Sequence, residues 1–216
     1  MLNAVKPSLA SLALLMALSP AWADDWPGPQ TKEAFSASRD YFVRVIPGNS
    51  IGDTVGFKGA HKGNYATAEF YRRDKHRSYK LVAETPLPNP IAPVDFHVAR
   101  DGRLVTIDNW HNLGYGQVLV VVAPDGKLIK SNRLADLFLK AEIDQFPHSV
   151  SSIHWHDGPM FFQQDQKTLL ITTKTGASLE VDTQTGAFQY CETVANAFRC
   201  RDTNENRQWH PYKPPA

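Results

Sequence analysis

The middle of the chain shows a regular alternation of hydrophobic and polar residues, which is typical of β-strands with one buried face. Two aspartate–glycine pairs, Asp101-Gly102 and Asp125-Gly126, interrupt this alternation with residue types that favour tight hairpin turns. The pattern therefore predicts four antiparallel strands connected in chain order, a meander. These strands are Val94–Val98, Arg103–Asp108, Val118–Val122 and Lys127–Ile129.

One of these strands, Val118–Val122, is hydrophobic at every position. A strand without a polar side must be covered on both faces, because otherwise a row of apolar side chains would face water. We therefore expect this strand to lie between two other layers of the structure. Consecutive meanders stacked face to face, as in the blades of a β-propeller, would supply those layers.

Two further groups of strands flank this meander, so the whole pattern predicts an all-β fold of stacked antiparallel meanders. The earlier group consists of Tyr41–Ile46, Ala66–Arg72 and Tyr79–Glu84, after an irregular lead-in at residues 24–39. The later group forms a second meander with glycine-containing turns. Its predicted strands are Ser151–His156, Met160–Gln163, Lys167–Thr173, Leu179–Asp182 and Ala187–Tyr190.

Only one segment has helical periodicity. Leu134, Leu137, Phe138 and Ala141 are spaced so that they share one face of a helix. Polar residues just before the segment can cap its start, and Pro147 limits its extent. We therefore predict a single short amphipathic helix between the two meanders.

The first 23 residues read as a secretory signal peptide and not as part of the fold. Lys6 gives a positive start, residues 9–18 form a short apolar run, and Ala21-Trp22-Ala23 fits a cleavage site. The apolar run is too short to span a bilayer comfortably, and no later stretch approaches the necessary length. We therefore expect a periplasmic or secreted protein that has no transmembrane segment after cleavage.

Composition and charge predict a single β domain over residues 24–200, followed by a polar tail at residues 201–216. Hydrophobic residues make up 42% of the 216-residue chain, which argues against disorder along most of its length.

Lysine and arginine together number 23, and aspartate and glutamate number 22. Because nucleic-acid binding depends on an excess of positive charge, we expect no nucleic-acid partner.

Cys191 and Cys200 are the only cysteines in the chain. In an oxidising compartment, a single pair so close in sequence predicts a local disulfide bond. Closing so short a loop stabilises the fold by about 2–3 kcal/mol, because it restricts the unfolded chain. A redox or metal-binding pair is disfavoured, since the cysteines lack C-x-x-C spacing and neighbouring histidines.

Three short segments carry a resemblance to known proteins. Val121–Ile129, within the segment Ala92–Thr185, resembles the outer hairpin of blades in secreted β-propeller proteins. Asp108–His111 with Gly114–Gly116, and Ser149–Ser152, are similar to segments of uncharacterised exported bacterial proteins. The resemblance implies a propeller-like stack but no particular activity. Closed propellers have four or more blades and this chain offers about three, so an open stack, a sandwich and a ring completed by another subunit stay open.

His154 and His156 are the strongest candidates for a metal site. On a strand, side chains two residues apart point to the same face, with about 6.6 Å between the residues along the strand. Two imidazoles in that position can bind zinc or copper if His111, His148 or Asp157 supplies a third ligand. The alternative is that both histidines face solvent while their hydrophobic neighbours pack in the core.

The loop after the second strand of the first meander is longer than a hairpin requires. It contains the candidate ligand-binding residues Asp108, Asn109, Trp110, His111 and Tyr115. Aromatic faces beside short polar groups suit the recognition of a peptide or a sugar. The alternative is that the indole and phenol rings plug the end of the sheet, while the aspartate and asparagine side chains bond to turn amides.

No serine-hydrolase, zinc-protease, phosphate-loop or dinucleotide-binding motif occurs in the sequence. We therefore predict a non-enzymatic, exported binding or scaffolding module without a cofactor, whose partner is an envelope protein or a polysaccharide. The alternative is a metal-binding periplasmic protein, with or without enzymatic activity, that binds zinc or copper through His154 and His156. A third hypothesis is a purely structural subunit of an oligomer.

Overall fold

Three antiparallel sheets make up the fold, and strands that follow each other in sequence are also neighbours in each sheet. The computed structural model describes residues 26–202 and 208–212. The predicted signal peptide, residues 1–23, lies outside the described residues. Within each sheet, every described strand pairs antiparallel with the next in sequence, so each sheet is a meander.

The three sheets follow one another along the chain. Sheet 1 consists of β1 (Lys32–Phe35), β2 (Tyr41–Ile46), β3 (Thr67–Arg73) and β4 (Tyr79–Pro86). Sheet 2 consists of β5 (Pro93–Val98), β6 (Leu104–Asn109), β7 (Leu119–Val122) and β8 (Leu128–Asn132). Sheet 3 consists of β9 (Phe161–Phe162), β10 (Thr168–Thr172), β11 (Ser178–Asp182), β12 (Phe188–Val194), β13 (Ala197–Asp202) and β14 (His210–Pro211).

Sheet 2 lies between the other two sheets, and the hydrophobic strand β7 is buried on both faces. Val120 and Val122 belong to a core that sheet 2 shares with sheet 1. Leu119 and Val121 point the other way, into a core that sheet 2 shares with sheet 3. The side-chain alternation of a strand sends successive residues to opposite faces, so both faces of β7 need a covering layer. The predicted all-β fold of stacked antiparallel meanders is confirmed.

The structure differs from the predicted segments in several places. The lead-in at residues 24–39 is not wholly irregular, because it contains β1, which pairs with β2. The segment Ser151–His156 is not a strand, and its strand-type pairing is limited to isolated bridges at Ile153 and His156. Its backbone N–H groups donate to loop residues instead. The N–H of Ile153, for example, donates to the backbone oxygen of Leu113 at 2.9 Å. Sheet 3 also has six strands where the pattern predicted a shorter meander, and its edge strand β14 falls within the predicted tail.

The segment predicted as a short amphipathic helix is helical, and it is divided into two single turns. These are α1 (Leu134–Leu137) and α2 (Lys140–Ile143), and Phe138 between them is extended, with φ −126° and ψ 152°. The carboxylate of Glu142 accepts the N–H of Leu139 at 2.7 Å and so starts a new turn. No helix within the described residues has the length and apolar character needed to cross a bilayer.

The predicted disulfide bond is confirmed. Cys191 on β12 lies directly opposite Cys200 on β13, and the two sulfur atoms are bonded. Both cysteines are fully buried. The bond therefore joins the two strands of one hairpin and fixes their register from inside the fold.

Candidate functional site

The carboxylate of Asp108, at the end of β6, is the centre of a buried polar cluster. Its two oxygens accept the indole N–H of Trp155 at 2.9 and 3.0 Å, and Oδ1 also accepts the backbone N–H of Gly114 at 2.8 Å. Nε2 of His156 lies 3.0 Å from Oδ2, at hydrogen-bonding distance. Asp108 is 0% exposed, so these contacts replace all of its water. We call these four residues the Asp108 cluster.

Two candidate sites of the sequence analysis meet in the Asp108 cluster. Asp108 is a predicted ligand-binding residue of the loop, and His156 is a predicted metal ligand 48 residues further along the chain. Their direct contact gives both side chains a partner within the fold. A buried carboxylate requires such partners, because an unpaired charge in the interior is strongly unfavourable.

The loop that follows β6 turns sharply to make these contacts. Asp108 and His111 both adopt the left-handed backbone conformation, with φ of 55° and 71°. Gly114 also has positive φ, and a Cβ placed there would lie 2.6 Å from the Cβ of Ile153. Only glycine fits at that position. The loop is therefore held tightly against the segment that contains Trp155.

Asn109 is buried and stabilises the loop from within. Its Nδ2 donates to the backbone oxygens of Tyr115 at 2.6 Å and Gln117 at 3.1 Å. Its Oδ1 accepts a hydrogen bond from Asn89 at 2.8 Å. The geometry thus favours, for Asp108 and Asn109, the alternative in which their side chains bond to groups of the loop and not to an outside ligand.

Trp110 and His111 lie instead at a partly exposed aromatic surface. Their ring centroids are 5.2 Å apart, and the ring of Trp26 lies 6.5 Å from that of Trp110. The ring of Phe57 meets that of His111 edge to face at 4.9 Å. All four side chains are only partly buried. We call Trp26, Phe57, Trp110 and His111 the aromatic surface.

Two members of the aromatic surface could not be identified from the sequence. Trp26 comes from the segment before β1, and Phe57 comes from the long loop between β2 and β3. Neither residue belongs to a periodic segment. The segment of Trp26 is held by a hydrogen bond from Trp110 to Pro27, which joins residues 83 positions apart. No local signal in the sequence predicts contacts of that range.

Tyr115, the remaining candidate of the loop, lines a cleft and does not belong to the aromatic surface. The cleft has a volume of about 180 Å³. Asn112 connects its two sides, because its Oδ1 accepts the N–H of Val55 at 2.9 Å. Burial raises the pKa of the Tyr65 phenol, so that its hydroxyl stays protonated. The lining residues are Asp53, Thr54, Val55, Tyr65, Pro88, Pro90, Asn109, Asn112, Tyr115, Gly116 and Gln117.

Two of the histidines considered as metal ligands, His156 and His148, have partners within the protein. His156 contacts Asp108, and Nε2 of His148 lies 3.3 Å from the oxygen of Ile143. Asp157 forms an ion pair with Lys174 at 2.9 Å. Within residues 26–202 and 208–212, no group of three or more histidine, cysteine, aspartate or glutamate side chains is arranged to hold a metal ion. Zinc or copper binding through His154 and His156 stays a prediction of the sequence.

A larger cavity, of about 340 Å³, lies on sheet 3. Its most deeply buried acidic group is Glu180 on β11, whose carboxylate accepts the amide of Gln189 at 3.1 Å. Burial raises the pKa of Glu180 above its usual range. The cavity is lined by Thr168, Glu180, Asp182, Ala187, Phe188, Gln189, Asp202 and His210.

Replacing Glu180 with glutamine is expected to stabilise the protein at neutral pH but hardly at about pH 4, near the ordinary glutamate pKa. The raised pKa means that the unfolded chain releases this proton at a lower pH than the folded chain. The folded state therefore loses stability as the pH rises through the pKa of the buried carboxyl, and the amide removes that loss. Thermal unfolding of both proteins at the two pH values measures the effect. An equal shift of Tm at both values would contradict it.

Comparisons with known proteins leave this geometry as the main guide to function. No protein-family model matches the chain, and none of the curated proteins searched is similar to it.

Proposed function

We propose that the chain is an exported binding module whose partner contacts the aromatic surface. The observation that carries the proposal is the meeting of Trp26, Phe57, Trp110 and His111, from three separate segments, at one partly exposed place. Packed aromatic rings offer a large contact area and lose little conformational freedom on binding. The partner is an envelope protein or a polysaccharide.

The Asp108 cluster supports this role because it makes the surface rigid. Trp110 and His111 follow directly after Asp108 and Asn109, whose side chains are fixed by buried hydrogen bonds. A loop that is already ordered loses less entropy when a partner binds. The same arrangement explains why the loop uses its polar groups internally and leaves its aromatic faces available.

Export belongs to the same proposal. The signal-peptide pattern of residues 1–23 and the single disulfide bond, Cys191–Cys200, support a periplasmic or secreted location. The stacked meanders support a relationship to secreted propeller-like proteins. In such a setting the three sheets act as the scaffold, and the loops at their ends make the contacts.

Replacing Trp110 with alanine is expected to weaken partner binding strongly without unfolding the protein. Immobilised wild-type and variant proteins are exposed to envelope extract, and mass spectrometry quantifies the proteins and glycans that they retain. We expect the partner to be retained at least about ten-fold less by the Trp110→Ala variant, as is usual for a central aromatic contact.

The matched control is Trp209→Ala. Trp209 is also a partly exposed tryptophan, but it packs on Arg199 of sheet 3, with the guanidinium 4.0 Å from its ring. This variant should retain the partner as the wild type does. Equal retention by the wild-type and Trp110→Ala proteins would exclude the aromatic surface as the contact site, provided that both unfold at the same temperature.

A further inference from the structure

One member of the aromatic surface, Trp26, belongs to a short segment that lies over Trp110 and His111. The indole N–H of Trp110 donates to the backbone oxygen of Pro27 at 3.0 Å. The ring of Trp26 packs edge to face on Trp110 and lies 5.9 Å from the ring of His111. Residues 26–29, Trp-Pro-Gly-Pro, therefore rest on Trp110 and His111 with a main-chain oxygen as the acceptor and an aromatic ring as the anchor.

From this arrangement we propose that Trp110 and His111 form a binding site for extended, proline-containing peptides, and that residues 26–29, including Trp26, act as an internal ligand of that site. This inference rests on the proposed function and names its class of partner. Proline-rich segments suit such recognition because they are already extended, their carbonyl groups are free, and they lose little entropy on binding. Aromatic grooves recognise them by ring packing and by hydrogen bonds to main-chain oxygens.

The internal ligand shows which groups of a peptide the site can bind. The acceptor on Trp110 is a peptide carbonyl, and two prolines flank the glycine that follows it. Neither proline has an N–H, so the segment cannot join a sheet through these residues. Residues 26–31 accordingly lie outside the strands and reach the surface as an irregular segment before β1 begins at Lys32.

The internal ligand is held weakly enough to be displaced. Pro27 and Gly28 are exposed, and the hydrogen bond to Trp110 lies at the surface. Its main advantage is its attachment to the chain, since only a few residues separate it from β1. A short flexible connection gives an effective concentration of about millimolar, so an external peptide must compete against it. Removing the internal ligand should therefore increase the affinity for an external peptide.

The test uses a synthetic peptide with the sequence of residues 25–30, Asp-Trp-Pro-Gly-Pro-Gln, and the full-length protein. Its dissociation constant is measured by fluorescence anisotropy for the wild type and for the double variant Trp26→Ala/Pro27→Gly. We expect the double variant to bind the peptide about ten-fold or more tightly than the wild type, since competition from the tethered segment is lost. Adding Trp110→Phe, which keeps a ring but removes the N–H donor, should abolish that gain.

Controls separate the peptide from other ligands. A peptide with both prolines replaced by alanine should bind the double variant several-fold more weakly, and adding Trp209→Phe to the double variant should change nothing. Equal affinity of the peptide for the wild type and the double variant, or no binding to either, would overturn the inference. So would preferential binding of a chitin oligosaccharide, the sugar probe. If Trp110-dependent capture from extract persists while the peptide fails, the proposed function stands and only the peptide assignment is wrong.

Discussion

Replacing Asp108 with asparagine is expected to lower the free energy of unfolding by about 3 kcal/mol or more, because hydrogen bonds to a buried charge are strong and an uncharged amide weakens them. The carboxylate accepts hydrogen bonds from Trp155 and Gly114 and contacts His156. An amide has only one acceptor oxygen, and its NH₂ group would face an N–H donor. The Trp155 N–H then loses one of its two acceptor oxygens, and the remaining uncharged oxygen binds its donors less strongly, so the loop that carries Trp110 loosens.

Chemical denaturation followed by tryptophan fluorescence measures this loss. Asp157→Asn is the matched control, because Asp157 is next to His156 in sequence but its side chain is 60% exposed and contacts only Lys174 and the N–H of Gly158 at the surface. The control should change the free energy of unfolding by less than about 1 kcal/mol. If Asp108→Asn and Asp157→Asn unfold at the same denaturant concentration, the Asp108 cluster does not stabilise the loop.

The strands and turns of sheet 2 could be predicted from the sequence because their signals are local. The aspartate–glycine turns and the two-residue alternation determine which segments pair. The same alternation predicts β2 of sheet 1 with the bounds that the structure has, Tyr41–Ile46. The break within the helical segment could not be predicted, because two separate turns satisfy the same spacing of hydrophobic residues. Phe138 packs in the core against Phe146 and Trp155 from an extended backbone, which hydrophobic periodicity alone does not distinguish from a helix.

The candidate site was predicted only in part, for a related reason. The unusual composition of the loop after β6 drew attention to Asp108 and Trp110, but their roles depend on residues far away in the sequence. Trp155 and His156 reach Asp108 across 47 and 48 positions, and Pro27 reaches Trp110 across 83. Such contacts follow from the stacking of sheets, and the pattern within any one sheet does not specify them.

The two-sided burial of β7 predicts that Val120→Ala and Val121→Ala each lower the free energy of unfolding by about 2–3 kcal/mol, from two lost methyl groups and the cavities they leave. Both residues are fully buried, yet Val120 packs towards sheet 1 and Val121 towards sheet 3. A strand with one solvent-facing side would instead show one large loss and one negligible loss. Chemical denaturation of the two variants measures both values.

The control for this pair is Val82→Ala on β4. This substitution removes the same two methyl groups, but from a side chain that is 48% exposed. Its effect should stay within about 0.5 kcal/mol, as is usual for exposed positions. The double variant Val120→Ala/Val121→Ala adds a further distinction. Because the two side chains enter separate cores, their losses should be nearly additive, at about 4–6 kcal/mol. A negligible effect at either single position would mean that one of the two flanking sheets does not cover β7, and the stacked arrangement that positions the aromatic surface would then be wrong.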